Sequence, residues 1–232
     1  MLQRVEKQRI AEEIVEQLRG LILQGTYAPG DKLPPERKLA EQLGVNRASL
    51  REAIKKLEHM GLVKTRQGDG TRVLDFMQTA GLELVRHLVE RGSPDILRDV
   101  LEFRTIYGRE VARLAATRAT AAELTKLEQI ADMCAKDIPG EELLRLDLEF
   151  YVGLAEASRN QVFKLLINTI RNAVVSFGEF FAQFQISREV VRKHQRDVLE
   201  ALKRRDAEAA AKAAERYLAQ GFEHLLSLTA AR

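Results

Sequence analysis

Residues 33–73 read LPPERKLAEQLGVNRASLREAIKKLEHMGLVKTRQGDGTRV, and this stretch decides the fold of the N-terminal third. Apolar residues recur at helical spacing on both sides of Gly44, which can adopt the positive φ of a tight turn between two helices. Asn46 is a suitable N-cap for the second of these helices. After Gly61 the residues alternate around Gly68-Asp69-Gly70, as in two strands joined by a turn. The stretch, with a helix before it over 8–24, predicts a winged helix-turn-helix.

This predicted motif is also the basic part of the chain. Residues 32–72 hold 10 Lys and Arg against 5 Asp and Glu, and the formal net charge of +3 arises within residues 1–75. A locally basic unit beside a neutral one indicates an anionic polymer as its partner. The alternative is an ordinary three-helix domain with a solvated basic face.

The remaining residues predict a second domain made of helices. Short breaks divide 78–229 into about seven amphipathic segments, which is typical of an all-helical bundle. We therefore expect a mainly α protein with a DNA-binding domain over 1–75 and a helical domain over 76–232. No nucleotide-binding or hydrolase motif is present, so we expect neither an enzyme nor a cofactor. The single Cys134, the charged N-terminal residues and the lack of a long apolar run predict a cytoplasmic protein without a membrane partner.

A few polar side chains of the second domain lie on the apolar faces of their helices. They are Arg104, Asp147, His194 and, at the edge of its stripe, Tyr217. Polar groups that converge inside an apolar bundle are typical of a small-molecule pocket. The alternative is structural: a buried salt bridge between Arg104 and Asp147, beside a histidine whose hydrogen bonds are satisfied within the core.

The N-terminal stretch resembles the DNA-binding domain of the GntR family of bacterial regulators over residues 8–75. The resemblance is carried by P-x-E-R-x-L-A, G-V-x-R-x-x-L-R-E-A, L-x-x-x-G-L-V and G-x-G-T. It implies phosphate and guanine contacts by Arg37, Arg47 and Arg51. It also implies base reading at Asn46, Ala48 and Ser49 and minor-groove contacts by Gln67 and Gly68 at the wing tip.

Residues 78–229 resemble the FCD effector domain of the FadR subfamily, through LEFRTIYGREVARLAATRAT, LDLEFYVGLAEASRN and KHQRDVLEAL. Many such domains hold a divalent metal with one Asp and three His. Here Asp147 and His194 match that pattern, whereas Tyr151 and Tyr217 stand where the other two histidines would be. A phenol is a poor ligand for such a metal near neutral pH, so we expect no metal, and Asp147 and His194 stay weak candidate ligands. The resemblance implies effector-binding residues at Arg104, Tyr107, Asp147, Tyr151, His194 and Tyr217.

The two resemblances together imply a repressor that binds a palindromic operator in double-stranded DNA as a homodimer. Its DNA affinity would depend on a ligand in the helical domain, with fatty acyl-CoA slightly ahead of a small organic acid, bound with or without a metal. An architectural DNA-binding protein, which needs no effector, is the alternative outside the regulators.

Overall fold

The computed structural model describes residues 6–90, 94–176 and 187–229, and the chain divides into two compact units, the first ending at Leu88 and the second beginning at Val89. The first unit begins with three helices, α1 (Glu6–Leu23), α2 (Glu36–Leu43) and α3 (Arg47–His59). Two strands follow, β1 (Val63–Arg66) and β2 (Gly70–Val73), and then α4 (Phe76–Thr79) and α5 (Glu83–Glu90). The predicted winged helix-turn-helix is confirmed.

Local sequence signals set the turn and the wing of this unit. Gly44 has φ 65° at the end of α2, and the Asn46 side chain caps α3 by accepting a hydrogen bond of 2.9 Å from the Ser49 N–H. The strands pair antiparallel from Val63 opposite Val73 to Arg66 opposite Gly70. The buried side of α3 packs on α1 and β1 through Leu50, Ala53, Ile54 and Leu57.

The first unit extends further than the predicted boundary at residue 75. Leu84 of α5 is 3% exposed and belongs to the core of the winged helix, and Phe76, Ala80 and Leu88 pack against that core. The hydroxyl of Thr79 also donates to the carbonyl oxygen of Gly61 at 2.7 Å. The apolar side of α4 and α5 thus completes a core that α1 to β2 leave open, and the compact unit continues to Leu88.

The second unit is built of helices throughout its described part. They are α6 (Pro94–Arg118), α7 (Ala121–Cys134), α8 (Gly140–Ala157), α9 (Gln161–Ser176), α10 (Arg188–Lys203) and α11 (Ala207–Thr229). One core unites them, with Phe150, Leu154, Val198 and Ala214 among its fully buried members. Together with α5, these helices match the seven segments predicted from the sequence. None of the helices in the described ranges is long and apolar enough to cross a membrane.

Candidate functional site

The first turn of α3 presents the predicted DNA-reading residues to solvent, with one exception. Arg47, Ala48 and Arg51 are exposed, as is the capping residue Asn46. Ser49 is only 2% exposed, because it lies one helical turn before Ala53 on the side of α3 that packs into the core. The prediction that Ser49 reads a base therefore does not agree with its position in this structure.

Two of the predicted DNA-binding arginines have carboxylate partners on the protein surface. Arg51 donates through Nε to the Glu36 carboxylate of α2 at 2.7 Å, and Arg37 pairs with Glu41 at 3.6 Å. Such exposed ion pairs contribute little to stability, so DNA phosphates can compete for both guanidinium groups. Arg47 forms neither a hydrogen bond nor an ion pair with the residues that the structure describes.

The tip of the wing is solvent-exposed. Gln67 and Gly68 lie in the turn between β1 and β2, and Gly68 has φ 80°, which a residue with a Cβ rarely adopts. The wing is joined to α3 by the Glu58 carboxylate, which accepts a hydrogen bond of 2.6 Å from the Thr65 N–H. This hydrogen bond joins the base of the wing directly to α3.

In the second unit, Asp147 is the centre of a buried polar cluster. Its carboxylate accepts a hydrogen bond of 2.7 Å from the Tyr217 hydroxyl and one of 3.4 Å from the side-chain amide of Gln195. Burial raises the pKa of Asp147, and the positive charge of Arg104 and the two hydrogen bonds oppose that rise. Asp147 is 1% exposed, so the hydrogen bonds from Tyr217 and Gln195 supply polar contacts to its carboxylate in place of water.

His194 packs near two tyrosine rings. Its imidazole stacks on Tyr217 at 4.1 Å between ring centroids and on Tyr151 at 5.7 Å, while Nε2 is 3.0 Å from the Tyr151 hydroxyl. Burial lowers the pKa of His194 to about 3, which keeps the ring neutral at pH 7. The nearby carbonyl of Ala213 raises that pKa in part, yet Nδ1 makes no hydrogen bond of ordinary geometry with any residue in the described ranges.

Arg104 is half-buried, and its positive charge acts on this cluster. Its charge lowers the pKa of Asp147 and opposes the rise in the pKa of both tyrosines. Within the described ranges it forms neither a hydrogen bond nor an ion pair. The alternative of a direct Arg104–Asp147 salt bridge is therefore wrong. Arg104 acts on Asp147 through its charge, and the hydrogen-bond partners of the carboxylate are Tyr217 and Gln195.

Tyr107, a predicted effector-binding residue, has a structural role instead. Its hydroxyl donates to the carbonyl oxygen of Phe163 at 2.6 Å, and its ring meets that of Phe163 edge to face at 5.4 Å. This pair joins α6 to α9. The hydroxyl is thus already satisfied by the backbone, whereas the other five predicted residues lie in or facing the polar cluster.

Gln195 is a member of the cluster that the sequence reasoning missed. It is fully buried, and its amide nitrogen lies 3.4 Å from Asp147 and 3.5 Å from the sulfur of Cys134. Its carbonyl oxygen Oε1 has no hydrogen-bond partner in the described part of the chain. Helical spacing from the buried Val191 and Val198 was the signal that could have identified it.

The residues of the cluster do not fit a metal ion. Burial raises the pKa values of Tyr151 and Tyr217 well above the ordinary value, so neither supplies a phenolate ligand near neutral pH. Their hydroxyls are also engaged with His194 and Asp147. In the described part of the chain, no three His, Cys, Asp or Glu side chains are grouped as metal ligands.

A winged helix followed by a helical bundle with a buried polar cluster defines a class of protein, the bacterial transcriptional regulators with a separate effector domain. Residues 10–73 match the family described as bacterial regulatory proteins, gntR family, and residues 99–220 match the FCD domain. The chain belongs to the GntR family and carries an FCD effector domain.

Individual relatives agree with this assignment, and they are transcriptional regulators rather than enzymes. The HTH-type transcriptional regulator Mce2R of Mycobacterium tuberculosis is 40% identical, with 74% of this chain and 73% of that protein covered. The Glc operon transcriptional activator of Escherichia coli is 30% identical, with 82% and 79% covered. The solved structure of Streptococcus agalactiae GntR is 26% identical with a TM-score of 0.52, covering 92% of this chain and 99% of that chain.

Proposed function

We propose that this regulator reads a palindromic operator as a homodimer and represses transcription while it is bound. The observation that carries this proposal is the exposed first turn of α3, where Arg47, Ala48 and Arg51 stand on a helix whose start is fixed by the Asn46 cap. Side chains in the first turn of a recognition helix reach base edges in the major groove. Arg37 and the wing-tip residues Gln67 and Gly68 would add phosphate and minor-groove contacts on either side.

Arg47→Ala tests the base-reading part of this proposal. The dissociation constant is measured by fluorescence anisotropy on a duplex selected from a random library by the wild-type protein, and on a scrambled duplex. We expect a specific loss of about 1–3 kcal/mol, because a bidentate arginine–guanine contact discriminates by that amount. Arg9→Ala is the matched control: it removes the same charge from a side chain that is 79% exposed on α1.

The ratio of the two dissociation constants distinguishes the possible outcomes. A fall in that ratio for Arg47→Ala alone supports base reading. Equal weakening on both duplexes would reduce Arg47 to a phosphate contact. A ratio near one for the wild-type protein would instead indicate an architectural DNA-binding protein.

For the effector, we propose a fatty acyl-CoA that binds beside the buried polar cluster. The Tyr217 ring stacks on His194, and the hydroxyls of Tyr151 and Tyr217 engage His194 and Asp147, so the centre of the cluster is filled without a metal. Arg104 supplies a cation at the margin, where an anionic or thioester head can meet it. Binding would have to favour one spacing of the two reading heads in order to lower the DNA affinity.

A small organic acid is the second candidate, because three polar groups of the site lack a complete set of partners among the residues that the structure describes. They are Arg104, His194 Nδ1 and Gln195 Oε1. Native mass spectrometry of the purified protein, followed by denaturing extraction, separates the two candidates. A dimer that retains an acyl-CoA supports the first. A retained small carboxylate or metal ion supports the second, and a monomer would contradict the proposed homodimer.

A further inference from the structure

The tip of the wing carries a negative charge that DNA contact alone does not explain. Asp69 lies between Gly68 and Gly70 in the turn that joins β1 to β2, and its N–H donates to the carbonyl oxygen of Arg66 at 3.1 Å. A carboxylate beside the phosphate backbone weakens binding by repulsion. Its presence at this place therefore points to a second role within the wing.

The Asp69 carboxylate is bound by two cations of its own chain. Arg72 donates to it through two nitrogens, from Nε at 2.8 Å and from Nη2 at 3.3 Å, and the ammonium group of Lys32 contacts Oδ1. The hydrogen bonds from Arg72 and Lys32 hold the pKa of Asp69 far below its usual range. A two-nitrogen contact of this kind fixes the direction of a guanidinium group as well as its distance.

Through these cations Asp69 is linked to the loop before α2. The third nitrogen of Arg72 donates to the Gly30 carbonyl oxygen at 3.0 Å. Main-chain hydrogen bonds of 2.9 Å join Leu33 to Thr71 and Val73 to Asp31, so residues 30–33 lie along the outer edge of β2. The carboxylate thus joins the wing tip to a segment that is anchored in the core by Leu33, which is 5% exposed.

We propose that Asp69 is a positioning residue for DNA recognition, which holds the wing through Arg72 and Lys32 at the angle that the operator requires. The proposal rests on the proposed contact between the wing tip and the minor groove. The three side chains are between 36% and 50% exposed, so their ion pairs add little to the stability of the fold. Their effect is expected in binding, where a preorganised wing loses less conformational entropy.

Asp69→Asn separates positioning from simple electrostatics, because the two predict opposite changes in the affinity for the selected duplex. The substitution removes a negative charge beside DNA and releases two cations, so electrostatics alone predicts tighter binding with a steeper dependence on salt. Positioning predicts weaker binding of the selected duplex, by about three- to tenfold, and unchanged or tighter binding of the scrambled duplex. Glu13→Gln is the matched control, since it removes the same charge from α1.

The experiment uses the full-length protein and measures both duplexes at two salt concentrations. Asp69→Glu keeps the carboxylate and is expected to remain within about threefold of the wild type, which a general perturbation of the turn would not allow. Tighter or unchanged binding of the selected duplex by Asp69→Asn would overturn the proposal. In that case Gln67→Ala shows which assumption was wrong. If Gln67→Ala weakens binding, the wing does contact DNA and only the positioning role of Asp69 has failed. If it has no effect, the proposed contact between the wing and DNA has failed as well.

Discussion

Removal of the Tyr217 hydroxyl tests whether the buried polar cluster depends on the charge of Asp147. In Tyr217→Phe the ring and its stacking on His194 remain, and only the hydrogen bond of 2.7 Å to the carboxylate is lost. Tyr151→Phe is a matched control, because its hydroxyl meets the neutral His194 at 3.0 Å. Both tyrosines are buried, so the two variants differ in the hydrogen-bond partner, which is a carboxyl group for Tyr217 and a neutral imidazole for Tyr151.

The partner decides the expected magnitude. A hydrogen bond to a charged group contributes about 1.5–3 kcal/mol to folding, and one between neutral groups about 0.5–1.5 kcal/mol. Each kcal/mol lowers the melting temperature of a domain of this size by about 2–4 °C. We therefore expect Tyr217→Phe to lower the melting temperature of the helical unit by roughly twice as much as Tyr151→Phe.

The loss of stability in Tyr217→Phe is also expected to depend on pH. Burial raises the pKa of Asp147 above its unfolded value, so the protonated carboxyl group favours folding. The free energy of unfolding therefore falls as the pH rises through the folded pKa. The Tyr217 hydrogen bond lowers the pKa of Asp147, so this pKa is higher in Tyr217→Phe. The free energy of unfolding of the variant therefore continues to fall to a higher pH than that of the wild type. The stability difference between Tyr217→Phe and the wild type should therefore increase with pH, because the variant lacks a donor to the charged form.

Differential scanning calorimetry is the suitable assay, since it can resolve separate transitions of the two units. The measurement is made for the wild type and both variants at several pH values between 5 and 8. Equal losses in the two variants, with no change in their difference across this range, would refute a charged Asp147 as the centre of the cluster.

Three further substitutions test other parts of the structure. Arg104→Met should fold with a melting temperature near that of the wild type, because Arg104 makes no ion pair in the described chain. In an anisotropy assay, the effector should no longer lower the DNA affinity of this variant. A large loss of stability would show instead that the charge of Arg104 is structural. Tyr151→His combined with Tyr217→His should create a zinc site with Asp147 and His194. The site would be seen as a rise in melting temperature on addition of Zn²⁺, which the single variants lack. No rise in the double variant would contradict the proposed correspondence with metal-binding FCD domains. Gly61→Ala should destabilise the first unit by about 2 kcal/mol or more, because Gly61 has φ 70° and an added Cβ would lie 2.3 Å from the Thr79 carbonyl oxygen. A calorimetric transition unchanged from the wild type would show that α4 can shift away from the added Cβ with no loss of stability.

The sequence by itself determined the elements and most of their exposed faces. The turn at Gly44, the Asn46 cap and the alternation around Gly68-Asp69-Gly70 are local signals, and the structure agrees with each. Arg47 and Arg51 were placed correctly at the surface because a helix of known start fixes the direction of its side chains. Their roles in DNA binding stay predictions.

Only the tertiary structure decided which polar groups pair inside the bundle. A helical wheel gives the direction of Asp147 about its own axis, but not the neighbouring helix that it faces. Tyr217 lies 70 positions away in sequence, and its hydroxyl, not Arg104, contacts the carboxylate. The burial of Gln195 and Ser49 and the docking of α5 on the winged helix were decided in the same way, because packing between elements distant in sequence leaves no local pattern.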